Sequence, residues 1–200
     1  MKTKTEEKRQ AIIAVATQVF IELGFDKTSM SEISNRLGGS KATLYNYFKS
    51  KEELFLETLQ IVIEAEFQMV HKALDPYTDD ISKSLYTFGE KFLNFIYSDS
   101  LKEVRKLAIT ESGKTELGKI TYTKGARRSY EMIAVCLNEA MQLNKLHMND
   151  PLVAAQHLLA LLEAETLMPF LMNVKTQITE PEIKAISKRA IDVFMRAYGI

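Results

Sequence analysis

Residues 29–55 read SMSEISNRLGGSKATLYNYFKSKEELF, and three serines punctuate them: Ser29, Ser40 and Ser50. Each precedes a helix-forming run, where a serine hydroxyl can accept a backbone N–H of the first turn. Glu32 follows Ser29 by three residues and Glu53 follows Ser50 by three, the spacing of a capping box. Gly38-Gly39 closes the first run. The stretch therefore predicts two short helices, Ser29 to Gly38 and Lys41 to about Phe48, and the start of a longer one. Two short helices joined by a glycine-containing turn make a helix-turn-helix.

Outward from this stretch the pattern stays helical. Between Glu6 and Leu23, Ile12, Ala16, Val19, Phe20 and Leu23 fall on one stripe, and Gly24 supplies the stop. Beyond it a long helix covers about 51–74, ending before Asp75-Pro76. Further helices are expected at about 81–97, 101–112 and 117–143. Asp150-Pro151 is an N-cap followed by proline at the first helical position. The run LVAAQHLLALLEAETLMPFLM that follows is apolar on nearly every side, so it must be covered all round, centrally or at a subunit interface. Pro169 is expected to kink or end it. Thr179 and Glu182 open a last helix, to about Tyr198. The expected fold is all-α: a three-helix N-terminal domain, residues 1–50, with the helix-turn-helix, and a helical C-terminal domain, 51–200, reached through the long helix.

Composition narrows the function. The chain has 200 residues, 46% hydrophobic and 26% charged, enough for a core without staples. The single cysteine, Cys136, excludes an internal disulfide framework and suits a reducing cytoplasm. The opening MKTKTEEKRQ runs straight into an amphipathic pattern and does not read as a leader, and no apolar run suggests a membrane span. The net charge is zero, but residues 1–50 hold eight Lys/Arg against five Asp/Glu, a basic head on an acidic body. His71, His147 and His157 are scattered, with no HExxH or Cys-His spacing for a metal, and there is no GxSxG, Walker loop or GxGxxG. No enzyme chemistry and no cofactor is expected.

In a helix-turn-helix the first helix braces across the DNA backbone while the second presents its leading residues to base edges in the major groove. Ser40, Lys41, Ala42 and Thr43 hold that leading end. They are short or flexible, and between them can donate, accept, reach guanine or meet a thymine methyl. Tyr45, Asn46 and Tyr47 add hydroxyl and amide groups for the sugar-phosphate backbone, and Lys51 opens the third capped helix.

The Gly24-Phe25 break, Thr28-Ser29, Ile33, Gly38, Ser40, Thr43-Leu44-Tyr45, Tyr47-Phe48 and Ser50-Lys51-Glu52-Glu53-Leu54 together resemble the DNA-binding domain of tetracycline-repressor-type (TetR family) regulators, over about residues 8–60. The resemblance implies phosphate contacts from Thr28, Ser29, Tyr45, Tyr47 and Lys51. Bases would be faced by Ser40 to Thr43 and by Asn46. Two positions depart from the family pattern. Gly39 stands where an aliphatic residue usually packs under the turn, and should loosen it; Ser34 stands where alanine is usual.

The segment VRKLAITESGKTELG (104–118) and the helix capped by Asp150-Pro151 resemble one branch of the same family. By that resemblance, helices at about 151–172 and 180–198 would pair with their copies in a four-helix dimer interface, placing two heads on a palindromic operator in double-stranded DNA. A pocket for a small-molecule effector would lie among the middle helices. Tyr86, Phe92, Phe95, Tyr122, Met132 and Met168 are candidate walls, each of which can equally be core. Arg105, Glu111 and Glu163 either orient a polar ligand group or pair as structural charges. The expected function is a ligand-responsive, DNA-binding repressor acting as a homodimer in the cytoplasm. The alternative is a helical ligand-binding or adaptor protein that keeps the head without reading DNA.

Overall fold

The computed structural model describes residues 4–114 and 116–200, the side chains of 4 and 59–62 excepted. The opening Met1-Lys2-Thr3, part of the stretch read above as no leader, lies outside these residues. The described secondary structure is helical, and two compact units divide the chain: Met1–Ala65 and Glu66–Ile200.

The first unit holds α1 (Lys4–Lys27), α2 (Met30–Leu37), α3 (Lys41–Tyr47) and the first turns of α4 (Lys51–Lys72). The stripe on α1 is buried at Ile12, Ala16, Val19 and Phe20. Gly24 breaks α1 with φ 75° and ψ 168°, a backbone that glycine adopts without steric cost. The break turns Phe25 back onto Phe20 and Phe55, with ring centroids 6.1 and 4.8 Å away. Ile33, Leu44, Phe48 and Leu54 complete this core, each burial worth roughly 1.5–3 kcal/mol. Leu54, Phe55 and Thr58 are buried as well, which is why the compact unit extends past residue 50 into α4.

The second unit contains α5 (Ile81–Ile96), α6 (Asp99–Thr110), α7 (Leu117–Thr121), α8 (Arg128–Gln142), α9 (Pro151–Glu163), α10 (Leu167–Leu171) and α11 (Glu180–Tyr198). The helix α5 buries Leu85, Phe88, Phe92 and Leu93 and packs on α11, while α9 packs on both α8 and α11. Gly89 permits the close approach: a Cβ there would stand 2.9 Å from Leu162 Cδ2 and 3.4 Å from Ser187.

Two of the expected helices are interrupted, one where no break was expected and one earlier than expected. A π-helical stretch, Tyr122–Arg127, separates α7 from α8. Gly125 and the β-branched Thr121 and Thr123 weaken the α preference there, so a wider turn is accommodated. The apolar run from 151 stops at Glu163 and restarts at Leu167, upstream of Pro169. Pro169 then falls in the first turn of α10, where its missing N–H would have had no helical partner. Nor is α9 covered all round in this chain. Ala154, Ala155, Leu158, Leu159 and Leu162 are buried, whereas Leu152, Val153 and Ala160 are exposed. Among the described residues, no helix is long and apolar enough to cross a membrane.

Candidate nucleic-acid interface

Serine hydroxyls set the start of each helix around the turn. Ser29 Oγ accepts from Glu32 N–H at 3.1 Å, Ser40 Oγ from Thr43 N–H at 3.1 Å and Ser50 Oγ from Glu53 N–H at 3.1 Å. Glu53 Oε2 accepts from Lys49 N–H at 2.7 Å, one residue before the cap, and not from Ser50 N–H as the expected box requires. The expected Ser29 box does not close. The Glu32 carboxylate turns instead to Arg36, 2.8 Å away on the next turn, and Arg36 also pairs with Glu22. Both carboxylates hold the Arg36 guanidinium pKa above its ordinary value, Glu22 the more strongly.

The turn between α2 and α3 uses both residues that depart from the family pattern. Gly38 takes the left-handed conformation, φ 68°, and Gly39 N–H donates to Ser34 O at 3.2 Å. The buried Ser34 hydroxyl in turn donates to Gly39 O at 2.8 Å. An alanine at 34 could not make this bond. The turn expected to be loosened at Gly39 is tied on both sides of that residue.

On α3, Leu44 faces the core and Phe48, its C-cap, is buried beneath Arg9, whose guanidinium carbon lies 5.3 Å from the ring centre. The opposite face is open. Ser40, Lys41, Ala42, Tyr45 and Asn46 are exposed, and Thr43 and Tyr47 are half-buried. The Thr43 hydroxyl lies 2.9 Å from that of Ser40, within hydrogen-bond distance. Ser29 is exposed at the head of α2.

Two expected phosphate contacts are held differently. Thr28 is buried, its hydroxyl donating to Gly24 O at 2.7 Å. Lys51 Nζ donates to Phe25 O at 2.9 Å and sits 4.0 Å from the centre of the Phe25 ring. Both residues secure the Gly24-Phe25 break, which aligned motifs alone could not reveal because the partners are a backbone carbonyl and a distant ring.

The six candidate pocket walls stand in different surroundings. Phe92 and Phe95 are core: Phe92 stacks on Phe88 and Phe95 meets Phe67 edge-on. The Tyr86 hydroxyl donates to Asp192 on α11, which raises its pKa. Tyr122 and Met168 are exposed, and Met132 is half-buried. Arg105 and Glu163 form an ion pair at 2.7 Å. Tyr97 joins it, donating to Thr166 Oγ1 at 2.8 Å, and burial pushes its hydroxyl pKa up to about 12. A cleft of about 340 Å³ opens nearby between α6 and α10, lined by none of the six.

Comparison with known proteins agrees with this geometry. Residues 12–58 match the model described as bacterial regulatory proteins, tetR family. Residues 83–200 match that of the AefR-like transcriptional repressor, C-terminal domain. The transcriptional activator FasR of Mycolicibacterium smegmatis is 37% identical over 95 residues, 48% of this chain and 43% of that protein. The regulator QacR of Staphylococcus aureus is 33% identical over 107 residues, 54% of this chain and 56% of that protein. The aligned stretches thus span about half of these relatives. Among solved structures, a TetR-family transcriptional regulator from Mesorhizobium loti superposes over the whole of both chains, with a TM-score of 0.83 and 25% identity. The flavonoid-responsive regulator FrrA is 30% identical, with a TM-score of 0.69 over 96% of this chain and 97% of that one. With both ends of the chain matched, the protein belongs to the tetR family of bacterial transcriptional regulators.

Proposed function

We propose that this chain is a ligand-responsive repressor that binds a palindromic DNA operator as a homodimer. The observation that carries the reading is the open face of α3: Ser40, Lys41, Ala42 and Asn46 exposed on a helix anchored from behind by Leu44 and Phe48. A recognition helix needs that division between a fixed back and a free front. Base edges would be met by Ser40, Lys41, Ala42, Thr43 and Asn46. Ser29, Tyr45 and Tyr47 would meet phosphate, and so would Lys51 after leaving Phe25. Thr28 would act from behind, by holding the Gly24 break.

The homodimer is supported by apolar groups that α9 and α11 leave uncovered. Leu152, Val153 and Ala160 on α9, and Ala185, Val193 and Ala197 on α11, are exposed. A second copy of the same two helices would cover them. Repression is supported by the description of the matching C-terminal model, and ligand response by FrrA, the relative named for responding to flavonoids. A ligand acts by binding the DNA-competent and incompetent states unequally.

A mobility-shift titration over a range of salt tests the docking. Lys51→Ala should weaken binding to every sequence alike and reduce the salt slope by about 1. Lys41→Ala and Thr43→Ala should change which sequence is preferred. If none of the three alters binding, α3 is not the reading element.

A further inference from the structure

The face of α6 directed at the segment after α9 is basic. Lys102 Nζ donates to Thr176 O at 2.8 Å, the Arg105 guanidinium carbon lies 5.1 Å from the Phe170 ring centre, and Lys106 Nζ lies 5.8 Å from it. Two of these cations have carboxylate partners: Asp99 pairs with Lys102 at 2.8 Å and Glu163 with Arg105 at 2.7 Å. Lys106 has a neutral acceptor instead, Asn173 Oδ1 at 3.3 Å, long for a charged donor. The cleft of about 340 Å³ opens beside it, bounded by Lys106, Ile109, Thr110, Phe170, Leu171 and Asn173. Its apolar walls are partly bare, with Ile109 53% and Leu171 41% exposed. That volume lies in the range of small-molecule sites, and an apolar wall with one cation is complementary to an acid on an apolar body.

We infer that this cleft is the effector site and that the effector is a small amphipathic acid, its carboxylate on Lys106 Nζ and its apolar body against Ile109 and Leu171. The inference rests on the ligand-responsive reading above and gives that ligand a place and a chemistry. A route from the cleft to the rest of the unit is present. Phe170 meets Tyr97 edge-on at 5.6 Å and faces Arg105, and Tyr97 bonds Thr166, between α9 and α10. Phe170 is buried at the floor of the cleft, so an occupant seated on Lys106 and Leu171 acts through it on the joint where α9 stops. Arg105 Nη1 is buried there without a hydrogen-bond partner among the described residues, so the joint has a donor to spare for a second arrangement.

Calorimetric titration of the full-length protein with two acids and their neutral counterparts tests this: 2-naphthoate against 2-naphthalenemethanol, and octanoate against octanol. At least one acid should bind once per chain and more tightly than its alcohol. Lys106→Met should weaken that acid on the order of tenfold, the loss expected for one charged hydrogen bond, and leave the alcohol unchanged. Lys106→Arg should restore the preference, and circular dichroism should show both variants folded. The bound acid should also shift operator affinity in a mobility-shift assay. No preference for the acid in either pair, or indifference to Lys106→Met, overturns the site. Acid binding that leaves operator affinity unchanged overturns its role as effector site. Loss of DNA binding by the ligand-free wild type is a different failure, and removes the regulator reading itself.

Discussion

Gly38 and Gly39 adjoin in the turn before α3 yet carry opposite constraints. Gly38 sits at φ 68°, where any side chain is strained, so Gly38→Ala should destabilise by about 1–2 kcal/mol. Gly39 lies outside that region, and a Cβ there would meet only Leu37 Cδ2, at 3.7 Å. Gly39→Ala should stabilise by about 0.4–1 kcal/mol, chiefly by restricting the unfolded chain. Urea denaturation of the two variants measures both, and a shared sign would contradict this account of the turn. At this scale the sequence was legible where chemistry is local. Ser29, Ser40 and Ser50 cap as their spacing demands, because a capping serine needs only the helix it begins. Lys51 and Thr28 were harder to read, since the Phe25 and Gly24 carbonyls come to them only after the chain has turned at Gly24.

Among the elements, the last helix offers a pH test. Glu182 accepts from Thr179 N–H at 2.8 Å and from its hydroxyl at 2.9 Å, and pairs with Lys175. Lys175 first, then the two Thr179 donors, depress its pKa to about 2. A carboxylate with a depressed folded pKa stabilises fully above its unfolded pKa, near 4.5, and loses that stabilisation as pH falls toward 2. Glu182→Gln should therefore lower Tm at pH 7, with the gap to wild type closing between about pH 4.5 and pH 2. A gap independent of pH would mean that the charge of Glu182 does not matter. This capping box was visible as Thr179 followed by Glu182. The interruption at Tyr122–Arg127 was not, because one glycine and two threonines lower helix propensity without marking where the bonding shifts to a π-helical turn. The break after Glu163 was expected at Pro169; a proline needs the preceding turn to end, and the chain ends it earlier.

For the molecule as a whole, the proposed dimer and the proposed reading of DNA are one requirement, since a single α3 would read too few base pairs to bind tightly. Val193→Asp places a charge in the proposed interface. It should convert a dimer to a monomer by light scattering and weaken operator binding in parallel. The all-α class and the family could be read from the sequence, because helical spacing and the motif around Ser40 lie along the chain. The proposed effector site could not: Lys106 and Phe170 are distant in sequence and meet only through packing, and an aromatic residue such as Phe92 or Phe95 reads alike as core or as pocket wall. The most direct test of the central claim, that α3 reads DNA in pairs, is selection of bound fragments from random DNA with the purified protein, followed by sequencing. The account predicts an enriched palindrome with half-sites about one helical turn apart, about 34–36 Å, recovered with a different preferred sequence for Lys41→Ala. An unenriched pool, or a single half-site bound by a monomer, would contradict it.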